Sequence, residues 1–119
     1  MELTCHSVKG INIVTLKGNL IGVEVSSTRR QIKNIIETHS PYIILDLNFL
    51  DFIDAQGLSV FVSALKAVQQ CHGVVVLLNP TPFVRTSIEL IRLQEIFSIY
   101  TDETAAIIHC TQLLVSKEK

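Results

Sequence analysis

Two kinds of hydrophobic pattern alternate along the chain. Compact apolar runs rich in β-branched and large aliphatic residues predict buried strands, most clearly residues 42–45 and 74–78. Apolar residues spaced three and four apart predict helices, and the clearest such stripe follows the first of these runs. It consists of Leu58, Phe61, Val62, Leu65 and Val68. This alternation is typical of strand–helix–strand units that build a mainly parallel sheet.

The remaining segments continue the same alternation, beginning with two strands that form a hairpin around Lys9 and Gly10. We predict an α/β fold of a single domain over residues 1–119, with the order β-β-α-β-α-β-α-β-α. Its sheet is mixed and mostly parallel, with about five strands and about four helices. The predicted strands are residues 3–8, 11–16, 42–45, 74–78 and 96–100. The predicted helices begin near residues 22–25, 55, 82 and 102, and residues 117–119 form a frayed tail.

The junction between the strand at 42–45 and the following helix is the candidate site. Asp54 stands where an N-cap residue belongs, with Ala55, Gln56 and Gly57 as the first helical turn. The first-turn amides have no partner within the helix, and the helix dipole is positive there, so the position favours negative charge. Chemistry or docking is therefore expected at this junction.

The outer face of the same helix is unusually poor in charge. Lys66 is the only charged residue between Leu58 and Cys71. A fully exposed helix normally carries more charge, so this face suits either docking on another protein or packing against a neighbouring helix. The pattern leaves both alternatives open. The residues of this face are Ser59, Val60, Ser63, Ala64 and Ala67.

Composition narrows the class of protein. A net charge of −1 gives no electrostatic reason to expect nucleic acid or a membrane surface as partner. No apolar run approaches the roughly 20 residues that span a bilayer, and the N-terminus lacks the basic and apolar regions of a signal peptide. We therefore expect a cytoplasmic protein without membrane insertion.

Metal and cofactor sites are not expected. Each of the three cysteines adjoins a histidine, but neighbouring side chains point in different directions and do not readily chelate one ion. Asp46, Asp51 and Asp54 could in principle hold Mg²⁺, yet a strand end, a surface loop and a helix cap explain them more simply. The phosphate-binding loop, dinucleotide and hydrolase motifs are absent. We expect no catalytic function.

Residues 43–47, Ile-Ile-Leu-Asp-Leu, and residues 52–58, Phe-Ile-Asp-Ala-Gln-Gly-Leu, resemble the signature of STAS domains. The resemblance extends to residues 18–20, 73–78 and 82–93, and so covers nearly the whole chain. Within the family, the chain resembles most the single-domain anti-sigma factor antagonists of bacterial partner-switching systems. The resemblance implies a protein-binding module whose partner is an anti-sigma factor, a serine kinase of the GHKL type, with a PP2C-type phosphatase as a second partner.

This sequence departs from the antagonist pattern at the motif itself. In the family the motif is Asp-Ser-Ser/Thr-Gly-Leu, and its second hydroxyl residue is phosphorylated by the kinase. Gln56 occupies that position and Ala55 the place of the other serine, while Ile21 replaces a nearby acidic residue. Since an amide cannot accept a phosphoryl group, the resemblance implies an antagonist that is always unphosphorylated. Ser59 remains as an alternative acceptor.

The docking surface predicted from this resemblance lies around the junction. It comprises Asp54, Ala55, Gln56, Gly57, Ser59, Val60 and Ser63. A rival interpretation is a STAS scaffold or adaptor subunit of another assembly, such as a stressosome or a lipid-transport complex. Loss of the phosphoacceptor is compatible with either role.

Overall fold

The computed structural model describes residues 1–118 and forms one sheet with helices on both faces. Its strands are β1 Glu2–Val8, β2 Ile11–Leu20, β3 Tyr42–Asp46, β4 Leu50–Ile53, β5 Val74–Leu78 and β6 Ser98–Tyr100. Its helices are α1 Glu24–Thr38, α2 Ala55–Gln70, α3 Pro82–Leu90 and α4 Glu103–Glu118, with a short 3₁₀ turn at Leu93–Glu95. Of the predicted tail, residues 117 and 118 belong to α4, and residue 119 lies outside the described residues.

The sheet is mixed and mostly parallel, as predicted. The strand order is β1-β2-β3-β5-β6, and β4 pairs with β2 off this path. Only the β1–β2 hairpin is antiparallel among the described strands. The long strand β2 pairs with β3 through residues 12–15 and then with β4 through residues 18–20. The carboxyl ends of β2 and β4 therefore lie side by side.

Strand β4 was not predicted from the sequence. We expected a loop at Asp51 and a second strand that ends at residue 16; both expectations are wrong, because β2 continues to Leu20 and residues 50–53 form a strand. Gly18 lies within β2 at a register shift, with φ of 107°, and its N–H donates to the carbonyl of Phe49 at 3.0 Å. Glycine is favoured at a position with φ in this region, so Gly18 lets β2 continue and pair with a second strand.

The core has two layers, one on each face of the sheet. On one face, α1, α2 and α3 cover inward residues of the central strands; on the other face, α4 covers the alternate residues through Ala106 and Cys110. Strands β3 and β5 are therefore buried on both faces, which explains their continuous apolar sequences. The buried residues of β3 that face α4 are Tyr42 and Ile44.

Helices α1 and α2 pack against each other on the first face. Val60, 1% exposed, and Ala64 are buried in the same core cluster as Ile32 and Ile36 of α1. The charge-poor face of α2 is thus covered, in these positions, by a neighbouring helix of the same chain. Of the two alternatives left open by the sequence, packing within the chain accounts for Val60 and Ala64.

Removal of one methyl group should distinguish the sheet core from the surface of α4. Ile44→Val, in the central strand, is expected to lower the free energy of unfolding by about 0.5–1.5 kcal/mol. Its matched control is Ile108→Val, where the side chain is 51% exposed and a change within about 0.5 kcal/mol is expected. Urea unfolding followed by circular dichroism measures both. Equal losses for the two variants would contradict the burial described for β3.

Candidate docking site

The candidate site lies at the carboxyl edge of the sheet, where β4 passes into α2. Ile53, the last residue of β4, is aligned with Leu20, the last residue of β2. Asp54 separates β4 from α2. Because β2 and β4 run parallel, the residues that follow each of them, Ile21 and Asp54, emerge at the same edge. The pairing of these strands therefore places the first turn of α2 beside the segment that connects β2 to α1.

Asp54 caps α2, as predicted. Its backbone is extended, and its Oδ1 accepts a hydrogen bond from the N–H of Gly57 at 2.7 Å. The carbonyl of Asp54 accepts the first helical hydrogen bond, from the N–H of Leu58 at 2.9 Å. The side chain satisfies one of the amide groups that would otherwise be unpaired at the start of the helix.

The tip of α2 is open to solvent in three of its four predicted positions. Asp54, Ala55 and Gln56 are exposed, and Gly57 is buried. Within the described part of the chain, no hydrogen bond or ion pair involves the side-chain amide of Gln56. The amide is therefore available to a second molecule. We call Asp54, Ala55 and Gln56 the α2 tip.

Gly57 has a packing role. A Cβ atom at this position would collide with the carbonyl oxygen of Leu20 and would lie 2.7 Å from Cγ1 of Ile53. The first turn of α2 can approach β2 this closely only because residue 57 has no side chain. A bulky residue at position 57 is therefore expected to disturb folding itself, because β2 or α2 would have to move to accommodate it.

The serines of α2 interact with α1. Arg29 donates from Nη2 to Oγ of Ser59 at 2.6 Å and from Nε to Oγ of Ser63 at 3.2 Å. The hydroxyl of Ser59 in turn donates to the carbonyl of Gln56. These two predicted site residues are half-buried, and Val60 is buried, so Val60 is removed from the predicted surface. The three positions lie along the α1–α2 contact, whereas the α2 tip lies outside it.

Exposed apolar side chains lie at the same edge of the sheet as the α2 tip. The rings of Phe52 and Phe83 meet edge to face with centroids 4.9 Å apart, and both are about half exposed. Val23, 92% exposed, and Ile21 lie in the segment that follows β2. This group was not predicted from the sequence, because β4 was not predicted and the outward position of Phe52 on it was therefore unknown. The only signal of this group in the sequence was the apolar pair Phe52 and Ile53 between two aspartates.

The described residues hold no cluster of three or more His, Cys, Asp or Glu side chains suited to a metal ion. Cys5 and Cys71 are exposed, and Cys110 is buried. Burial raises the pKa of Cys110 to about 11, so its thiol stays protonated and unreactive at neutral pH. Among the described helices none is long and apolar enough to cross a membrane.

Comparison with known proteins agrees with this architecture. The family model of the STAS domain matches residues 3–106, which is most of the chain. The chain belongs to the STAS family. This STAS chain is 29% identical over 108 residues to the anti-sigma F factor antagonist of Paenibacillus polymyxa, covering 90% of this chain and 92% of that protein.

Two solved structures show the same fold. The first is an anti-sigma factor antagonist from Mycobacterium paratuberculosis, with a TM-score of 0.84 at 18% identity, covering 92% of this chain and 93% of that one. The second is the Bacillus cell fate determinant SpoIIAA in its phosphorylated form, with a TM-score of 0.71 at 22% identity, covering 91% and 98%. The predicted STAS-like α/β fold is confirmed.

The close approach at Gly57 makes a stability prediction for this STAS chain. Gly57→Ala is expected to lower the free energy of unfolding by about 1–3 kcal/mol, because β2 or α2 must shift to accept the added methyl group. Ala55→Ser, which adds one atom at an exposed position of the same turn, is expected to change it by less than about 0.5 kcal/mol. Urea unfolding of both variants measures the difference. Wild-type stability of Gly57→Ala would show that the approach to Leu20 is looser than described.

Proposed function

We propose that this STAS chain is a binding module of the anti-sigma factor antagonist type, which docks through the α2 tip and catalyses no reaction. The observation that carries the proposal is the exposed, unpaired side chain of Gln56 at a helix N-terminus. By the resemblance of the motif, this is the position at which antagonists carry their phosphorylated hydroxyl. The family membership and the Paenibacillus relative support the antagonist class.

The surroundings of the α2 tip are suited to protein association. The Phe52–Phe83 pair and Val23 would lose water on contact with a partner, and burial of aromatic side chains supplies much of the binding free energy of interfaces. The exposed amide of Gln56 and the carboxylate of Asp54 can provide directional polar contacts beside them. Together these side chains replace the larger helix face that the sequence suggested, because α1 covers Val60.

Without a hydroxyl at position 56, phosphorylation at this position cannot release the chain from its partner. Phosphorylation would place about −1.5 to −2 charges inside the contact, which opposes docking through desolvation and repulsion. Gln56 can neither accept a phosphoryl group nor mimic its charge. The chain is therefore proposed to bind its partner constitutively. A Bacillus protein of the same fold has a structure in the phosphorylated form, a state that we propose this chain does not reach through position 56.

Ser59 is a poor substitute acceptor. Its hydroxyl proton is directed at the carbonyl of Gln56, and its oxygen accepts a hydrogen bond from Arg29. Phosphorylation would break both contacts, and the residue is half-buried on the side of α2 that faces α1. A kinase that reaches the α2 tip would therefore meet no free hydroxyl there.

We propose an anti-sigma factor that is a serine kinase of the GHKL type as the protein partner, with a PP2C-type phosphatase elsewhere in the same system. A pull-down with the full chain as bait tests the class of partner. Recovery of such a kinase supports the antagonist role. Recovery of ABC-transporter subunits in its place would contradict that role and favour the scaffold or adaptor interpretation.

Phosphorylation by a kinase recovered in the pull-down tests the role of Gln56. With ATP, the wild-type chain is expected to gain no phosphate in residues 54–59, whereas Gln56→Ser should gain one as its hydroxyl oxygen attacks the γ-phosphorus and ADP leaves. Ala55→Ser is the matched control, with a hydroxyl one residue away, and should stay unmodified. Intact-mass analysis and peptide mapping measure the result. Phosphate on Ser59 of the wild-type chain would refute the proposal of constitutive binding.

A charge added at the α2 tip should weaken docking without unfolding the chain. Gln56→Glu is expected to reduce affinity for the kinase about tenfold or more, since a carboxylate buried in the contact loses its hydration. Thermal stability should not fall, because a negative charge is favourable at a helix N-terminus. Calorimetric titration and thermal unfolding measure the two effects.

Gln69→Glu is the matched control, an identical substitution at the exposed far end of α2. It should leave affinity unchanged and should change the free energy of unfolding by no more than about 0.5 kcal/mol. An equal loss of affinity in both variants would place the contact elsewhere on the molecule.

A further inference from the structure

A groove between α1 and α2 combines an apolar floor with cationic walls. Its volume is about 260 Å³, slightly below the range of about 300–1,000 Å³ that is usual for ligand pockets. Ile32, Val60 and Ala64, all buried, form the floor, and Arg29, Lys33 and Lys66 stand around it. No acidic residue lines the groove.

The three cationic side chains have no carboxylate partner. Within the described part of the chain, ion pairs occur only at Met1–Glu24 and Arg92–Glu95. Lys33 and Lys66 make no hydrogen bond to any described residue either. Three cations that converge on one groove without a counter-charge create a positive potential there, which raises the local concentration of anions.

Arg29 is the one of the three cations that hydrogen-bonds to other described residues. Ser59 and Ser63 each accept one of its hydrogen bonds, at 2.6 and 3.2 Å, and so fix the guanidinium at the rim of the groove. The remaining guanidinium N–H groups are free to donate, and their planar arrangement matches a carboxylate or a phosphate. The lysine side chains lie along the walls and can add charge without a fixed geometry.

We propose that this groove binds a small amphipathic anion: a short apolar chain or ring that carries one carboxylate or phosphate group. The apolar part would cover Ile32 and Ala64, and the anionic group would meet Arg29 with Lys33 and Lys66. The volume limits the ligand to a small molecule. This inference depends on the groove alone and would survive failure of the docking proposal, which concerns the α2 tip.

Titrations followed by amide NMR spectra test the site, with sodium octanoate, octyl phosphate and inorganic phosphate as separate probes at constant ionic strength. Saturable shifts confined to residues 29–33 and 60–67 with octanoate or octyl phosphate are expected. The probe that binds with the higher affinity identifies the preferred anionic group. The proposal would be overturned if the shifts did not saturate or if they occurred elsewhere in the chain. It would also be overturned if inorganic phosphate bound as tightly as the probes that carry an octyl chain.

Two kinds of variant test separately how the cationic side chains and the apolar floor of the groove contribute to binding. Lys33→Gln with Lys66→Gln should weaken binding of the better probe roughly fivefold, as expected for the loss of two exposed ion pairs. Lys9→Gln with Lys17→Gln, two exposed lysines outside the groove, is the matched control and should bind like the wild type. Ala67→Leu fills the groove without changing its charge and should abolish binding. Wild-type affinity in the groove variants would overturn the proposal.

Discussion

The parallel pairing of β2 with β4 is the constraint on which the site depends. It aligns Leu20 with Ile53 and brings the first turn of α2 against the β2 backbone, where only a glycine at position 57 fits. The first turn of α2 thereby packs against the backbone of β2, and the hydrogen bond from the Gly57 N–H to the Asp54 side chain stabilises the same turn. A side chain at position 56 is then directed to solvent from a rigid support, which is the arrangement expected of a recognition site.

The contact between α1 and α2 sets the extent of that site. Arg29 joins the helices through Ser59 and Ser63, and the burial of Val60 removes an apolar side chain from the surface. The part of the predicted surface that stays exposed is the α2 tip, with exposed apolar side chains at the same edge of the sheet. The same helix contact creates the cationic groove on its outer side. Two surfaces of different chemistry therefore arise from one packing arrangement.

Membership in the STAS family establishes the fold, while the role of this chain depends on a few side chains. The same backbone geometry can present a hydroxyl, which a kinase can modify, or an amide, which it cannot. A helix N-terminus tolerates the charge of a phosphate and equally accommodates a neutral amide. Gln56 is thus compatible with the fold, and the consequence that we propose for it is confined to regulation.

Local patterns in the sequence determined most of the secondary-structure elements of this protein. Continuous apolar runs identified β3 and β5, and the Asp54 cap with its following stripe identified α2, because burial on both faces and helical spacing leave direct marks on a sequence. Strand β4 left no such mark, since its burial does not alternate and its partner β2 is distant in the chain. The burial of Val60 and the packing role of Gly57 were likewise decided by long-range contacts. The sequence by itself specified the elements and the amide at position 56, and only the tertiary structure decided which of their faces reach solvent.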